Sequence, residues 1–193
     1  DMDKRTQLAA VAGNQPQVIA APEFLVFCAD LNRAIRCCEA HSNRPTKGYT
    51  EQLIITTVDA ALYAQNIVTA AESVGLGICY IGALRNDPTK TSALLGLPQN
   101  VYPVFGLCIG HPAENPEVKP RLPVDVILKE NTYDASQEAE QIAAYDDIVR
   151  DYYATRSGNN KSQSWSEQMA GLLGREARPH MRSFLVKQGF EMK

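Results

Sequence analysis

The sequence has no Cys-x-x-Cys pair, and its three histidines (His41, His111, His180) lie far apart without metal-ligand spacing. A zinc site therefore has no support. It also lacks a Gly-x-Ser-x-Gly elbow and a Ser-His-Asp arrangement, so hydrolase chemistry loses its usual signatures. No unbroken apolar run reaches the ~18 residues expected of a membrane helix. Basic charge is not in excess: 19 Lys and Arg stand against 22 Asp and Glu, for a net charge of −3 and a pI of about 5.6. A nucleic-acid surface would usually be basic, so neither nucleic acid nor membrane is expected as a partner. No signal-peptide pattern, internal repeat or low-complexity segment is seen.

What remains is 193 residues at 45% apolar content, enough for one good core or two small ones. The five cysteines are odd in number. Cys28, Cys79 and Cys108 fall in or beside apolar, strand-like segments, which suggests buried free thiols in a reducing cytoplasm. The Cys37-Cys38 pair forms no recognised redox motif. The chain opens at Asp1 rather than at methionine, and we expect further sequence to precede it in the natural protein.

The pattern predicts a helix over 3–12 stopped by Gly13, then a loop through Asn14-Gln15-Pro16. Phe24 to Ala29 is a continuous apolar run and reads as a central strand. Residues 31–49 suggest a broken helix and a loop. The strongest helix covers 50–74, with Thr50 as N-cap and Gly75 as C-cap. It is apolar on most faces, as a core or interface helix would be. Strands are expected over 78–81 and 102–109, and helices over 88–95, 137–155, 166–174 and 178–187. Six of the eleven prolines fall between positions 98 and 123. Beyond 113 the chain has little apolar surface of its own and reads as an arm with helices, within one domain spanning 1–193. Helices and few strands in mixed order indicate an α+β fold.

The stretch Gly75-Leu76-Gly77-Ile78-Cys79-Tyr80-Ile81-Gly82 is answered by Phe105-Gly106-Leu107-Cys108-Ile109-Gly110. Two buried strands ending in glycine would let a flat ligand approach the backbone. A dinucleotide fingerprint needs strand, glycines, then helix. Here the helix comes first, so that reading fails on order and spacing. Gly75 and Gly77 are explained by a helix cap and a turn; Gly82 is not. Lys119-Pro120-Arg121 holds two cations on a stiffened loop, suited to phosphate or an anionic ring, or simply solvated. Arg156 to Lys161 reads either as a helix C-terminal cap or as a nucleotide-phosphate loop. Trp165 either packs on that loop or anchors the next helix.

Several segments together resemble the larger, NADPH-preferring, oxygen-insensitive nitroreductases and their flavin reductase relatives. They are Ala21 to Asp30, Asp59 to Asn66, Ala70 to Gly77, Tyr80 to Asn86, Phe105 to Gly110 and Lys119 to Pro123, in order from about residue 10 to the end. The resemblance implies a nitroreductase-like α+β fold with a central, mainly antiparallel sheet flanked by helices, in an intertwined homodimer with FMN at the interface. It implies flavin contacts from Gln15, Tyr80, Ile81, Gly82, Ala83, Lys119 and Arg121. Arg156 and Lys161 match residues associated with NADPH phosphate recognition. Ala83 stands where the family usually has a second glycine. The family's Arg-Ser-x-Arg segment, which holds the FMN phosphate, has no counterpart in this sequence. The implied activity is ping-pong hydride transfer from NADPH to nitroaromatics, quinones or flavins, centred on the flavin with no protein acid or base. Two alternatives stay open: an NADPH:flavin oxidoreductase with free FMN as substrate, and an inactive fragment or non-catalytic interaction protein on the same scaffold.

Overall fold

The computed structural model describes residues 1–193, which fall into two compact units, Asp1–Pro112 with Arg178–Lys193, and Ala113–Ala177. The first unit carries the sheet. Its elements are α1 (Met2–Val11), α2 (Pro16–Ala20), β1 (Glu23–Asp30), α3 (Asn32–Ala40), α4 (Thr50–Ser73), β2 (Gly77–Ile81), a 3-10 turn (Gly82–Asn86), α5 (Pro88–Leu95), β3 (Val101–Gly110) and, from the C-terminal segment, α9 (Met181–Lys187). The second unit holds α6 (Val124–Ile127), α7 (Glu138–Thr155) and α8 (Trp165–Leu173).

The three strands run antiparallel in the order β1-β3-β2. The apolar run of β1 was expected at the centre; β3 lies there instead. The reason is length and coverage. β3 has ten residues, seven of them buried, and pairs on both edges. β1 is apolar because helices cover its faces, while its outer edge has no strand. Its register shifts between Phe27 and Cys28, a bulge that bends an edge strand.

One face of the sheet is packed by α4. Ala60, Ala64, Val68 and Ala71 recur along its buried side, and small side chains at that spacing let helix and sheet approach closely. Phe27, Ala29, Tyr102, Val104 and Leu107 complete this core, with Phe184 and Phe190 from the returning C-terminal segment. Tyr102 donates to or accepts from Thr57 on α4 at 2.5 Å, and its ring meets Phe190 edge-on at 5.2 Å. α4 starts one residue earlier than the cap residue expected: Tyr49 is the N-cap, its amide donating to Gln52 Oε1 at 3.2 Å. Thr50 Oγ1 instead donates to the Lys193 carbonyl. Gly75, at φ +78°, ends the helix in the left-handed conformation that favours glycine. By length and composition alone α4 is long and apolar enough to cross a membrane. One face spends that apolarity on the sheet; the other exposes Ile54, Ile55, Val58, Leu62 and Tyr63.

The opposite face is covered by α1 and α2, which bury Leu8, Ala9, Ala12 and Val18 with Ile81, Leu84 and Cys108. Here Asn14 and Gln15 form the loop expected after Gly13, but Pro16, expected in that loop, opens the short helix α2. The second unit has its own small aromatic core of Tyr145, Val149 and Tyr153 beside Trp165. Ser164 caps α8 through a capping box with Glu167. Trp165 meets Tyr145 edge-on at 6.2 Å, so it anchors the helix it begins.

Candidate functional site

β2 delivers Tyr80, Ile81, Gly82 and Ala83 to the end of the sheet, where the chain tightens into the 3-10 turn. Alternation along β2 sends its side chains to opposite faces. Tyr80 is on the α4 face, its ring edge-on to Phe105 at 5.1 Å and its hydroxyl 3.4 Å from Gln65 Oε1. Ile81 is fully buried among the side chains that α1 and α2 cover, so only its backbone can meet a ligand. Gly82 and Ala83 are half-buried. A methyl on Gly82 would lie 3.4 Å from Arg85 Nη2. That guanidinium donates to the Val104 carbonyl. Burial holds its pKa below the usual arginine value, and Arg178 nearby adds to this. Arg85 was not anticipated from the sequence; it stands three residues after Gly82, which in a 3-10 turn returns to the same side.

Gln15 precedes α2 and is half-buried. Its Nε2 donates to the Ala12 carbonyl at 3.0 Å, and its Oε1 accepts from Gln17 Nε2 at 2.8 Å. The next link is Cys108, whose thiol donates to the Gln17 carbonyl at 3.4 Å. The helix that follows Gln15 and the turn that follows Ile81 thus share one side of the sheet and one core cluster.

The two glycines of β3, Gly106 within the strand and Gly110 at its end, serve packing. A methyl on Gly106 would lie 2.5 Å from the Phe24 ring, and one on Gly110 would lie 2.6 Å from Pro22 Cδ. The protein's own side chains fill the space that the sequence suggested was left for a flat ligand. Cys79, expected to be buried, is exposed on the edge strand β2; Cys37 is exposed as well.

In the second unit, α7 organises the cations. Lys119 Nζ lies 5.4 Å, Arg156 Cζ 4.6 Å and Lys161 Nζ 5.6 Å from the centroid of the Tyr153 ring, all within cation–π range. Lys119 beside the Tyr153 hydroxyl holds it below the usual phenol range, and that hydroxyl donates to Gln168 Oε1 at 3.4 Å. Tyrosine hydroxyls strap the segment bearing Lys119 along the helix: Tyr145 donates to the Pro120 carbonyl at 3.0 Å, and Tyr152 to the Glu117 carbonyl at 3.4 Å. Glu117 in turn accepts from the Ser157 amide and hydroxyl at 3.1 and 3.2 Å, fixing the turn after Arg156. Arg156 Nε is buried with no hydrogen-bond partner. Arg121 is exposed and donates to the Lys119 carbonyl.

The sequence had assigned Lys119 and Arg121 to one ligand and Arg156 and Lys161 to another. The structure gathers Lys119 with Arg156 and Lys161 and leaves Arg121 outside. Three cations and an unpartnered buried N–H form a site suited to an anion. Tyr153 is the residue that sequence reasoning missed; its only signal was its place on the apolar stripe of α7.

Residues 2–111 match the model described as the nitroreductase family, and residues 119–193 the model for the C-terminal domain of that family. The NADPH-flavin oxidoreductase of Vibrio harveyi is 45% identical over 190 residues, covering 98% of this chain and 77% of that protein. The oxygen-insensitive NADPH nitroreductase of Salmonella typhimurium is 43% identical with the same coverage. Among solved structures, NADPH:FMN oxidoreductase from Vibrio harveyi complexed with NAD+ superimposes with a TM-score of 0.89 at 41% identity, over 100% of this chain and 78% of that one.

Proposed function

The chain belongs to the nitroreductase family, and from that premise we propose that it is an FMN-dependent oxidoreductase that uses NADPH to reduce nitroaromatics, quinones or flavins. The observation that carries this reading is the anion site on α7, where Lys119, Arg156 and Lys161 surround Tyr153 and Arg156 Nε lacks a partner. A nucleotide phosphate supplies the oxygens that such a cluster needs. Arginine gives a planar fork and the lysines give point charges.

FMN, when bound, would supply acceptance of hydride from NADPH and its donation to the second substrate. The chain's part is to hold and orient. Gln15 has one amide hydrogen beyond its bond to Ala12, and its carbonyl is oriented by Gln17; both are free to meet the polar edge of a flavin. Gly82 and Ala83 offer backbone, Ile81 only backbone, and Tyr80 a ring fixed against Phe105. Lys119 and Arg121 are the cations that the family resemblance assigns to the flavin. Preorganised positive charge favours an electron-rich ring without reorganising when charge arrives. No side chain is asked to act as acid or base. With FMN held by these residues, NADPH and the electron acceptor would bind in turn, and ping-pong kinetics would follow.

The protein is read as a homodimer, with the exposed α4 stripe of Ile54, Ile55, Val58 and Leu62 meeting a second copy. All five cysteines are free, which suits a reducing cytoplasm. The test is spectroscopic and kinetic. Purified chain mixed with FMN and freed of excess should keep a bound-flavin absorbance and oxidise NADPH when a nitroaromatic or quinone is added. Protein that stays colourless and leaves NADPH untouched would favour the non-catalytic scaffold.

A further inference from the structure

Cys79 on β2 and Cys108 on β3 are directly opposed in the antiparallel register. Opposed residues in such a pair share a face of the sheet, and their Cα atoms are about 4.5 or about 5.5 Å apart depending on the hydrogen-bonding position. Both separations fall in the window of about 4.4–6.8 Å that a disulfide spans. We propose that Cys79 and Cys108 form a cross-strand disulfide when the protein meets a hydroperoxide, with Cys79 the thiol oxidised first.

Exposure sets the order of events. Cys79 is exposed at the sheet edge, whereas Cys108 is buried under α2 with its thiol on the Gln17 carbonyl. Burial, with the neighbouring Cys79 adding to it, pushes the Cys108 thiol up to about 11, so it is no nucleophile toward peroxide from solvent. In the first step the Cys79 thiolate attacks the outer peroxide oxygen. The O–O bond breaks, an S–O bond forms, and the alcohol or water leaves with a proton, giving a sulfenic acid. In the second step Cys108 sulfur attacks Cys79 sulfur. The S–S bond forms, the S–O bond breaks, and hydroxide leaves as water with the Cys108 proton. The two thiols lose two electrons and the peroxide gains them. The scarcity of Cys108 thiolate makes the second step the slow one.

The remaining cysteines do not compete for Cys79 within the chain. Cys28 lies in the edge strand beyond β3, and Cys37 and Cys38 lie on α3. The new bond would staple the strand that ends at Gly82 to the centre of the sheet and remove the thiol donated to Gln17, which holds the Gln15 side chain.

The experiment treats the full chain with a stoichiometric excess of hydrogen peroxide, blocks remaining thiols after unfolding, and maps peptides without reduction. The expected result is one cross-linked peptide pair joining Cys79 to Cys108, two hydrogens lighter than the sum of its parts and released by dithiothreitol. Cys79→Ser, a change at an exposed position, should leave Cys108 fully alkylatable. If Cys79 proceeds to sulfinic acid while Cys108 stays free, or if Cys79 is found linked to another cysteine, the proposal is overturned. Neither readout depends on flavin binding or turnover.

Discussion

Arg156 stacks on Tyr153 with its guanidinium carbon 4.6 Å from the ring centroid, and its buried Nε has no hydrogen-bond partner. The ring fixes the fork, and the fork's inner N–H remains to be used. A hydrogen bond to a charged group contributes about 1.5–3 kcal/mol. Arg156→Ala should therefore raise KM for NADPH about 10- to 100-fold, at roughly 1.4 kcal/mol per decade, and leave KM for the electron acceptor nearly unchanged. Steady-state kinetics with each substrate varied in turn gives the answer. Equal rises in both values would remove Arg156 from nucleotide recognition.

Gly106 and Gly82 make opposite predictions although the sequence presents them alike. A methyl on Gly106 would meet the Phe24 ring at 2.5 Å and Leu84 at 3.2 Å. Forcing it into that core should cost about 1–3 kcal/mol, a fall in Tm of roughly 2–4 °C per kcal/mol for a chain of this size. The methyl on Gly82 meets only the tip of Arg85 at 3.4 Å. Gly82→Ala should therefore melt within a degree or two of the parent while weakening flavin retention. Melting curves for both variants, with absorbance after gel filtration for the second, separate packing from binding.

The contrast shows what the sequence could and could not convey. The long helix α4 was legible because its apolar periodicity and its closing Gly75 are local signals. β1 was misplaced to the centre because a run such as Phe24 to Ala29 is apolar whether strands or helices cover it; sheet order is a long-range property. α2 was missed because five residues beginning at Pro16 carry too little periodicity to register. At the site, Tyr80 and Ile81 lie on β2 and Gly82 and Ala83 in the turn after it, whereas Gln15, Lys119, Arg121, Arg156 and Lys161 lie in connecting segments, and their grouping was not legible. Lys119 joins Arg156 and Lys161 only because Tyr145 and Tyr152 strap residues 117–120 along α7, and no spacing rule encodes a hydroxyl reaching a carbonyl 25 or more positions away.

Asp146 makes the packing of α8 on α7 dependent on pH. Burial pushes its carboxyl up, but hydrogen bonds from the Ser166 hydroxyl and amide, with Ser164 and Arg150 nearby, outweigh this and leave it below the usual carboxylate range. A depressed folded-state pKa contributes stability that is full above the ordinary aspartate value of about 3.9 and is lost as pH falls through the lower folded value. The expected outcome is an acid limb, below about pH 4, in the unfolding profile of the second unit followed by Trp165 fluorescence, since that residue opens the helix Asp146 ties down. Asp146→Asn should lower stability at neutral pH and flatten the acid limb. An unchanged limb in the variant would mean that other carboxylates govern it.

The exposed side of α4 gives the prediction on assembly. Ile54, Ile55, Val58 and Leu62 follow one another at helical spacing, all about half exposed or more, and a contiguous apolar stripe of that kind on a folded chain marks an interaction surface. Leu62 is 61% exposed, so an aspartate there creates no cavity in the chain's own core and costs the helix no more than about 0.7 kcal/mol in propensity. In a self-complementary interface the same change would bury carboxylates on both copies near a two-fold axis, where unpaired charge is strongly unfavourable. Sedimentation velocity should therefore find the parent at twice the mass of the chain and Leu62→Asp at the monomer mass, with helical circular dichroism retained in both. A parent that sediments as a monomer would refute the dimer. A variant that still sediments at twice the chain mass would place the contact elsewhere than α4.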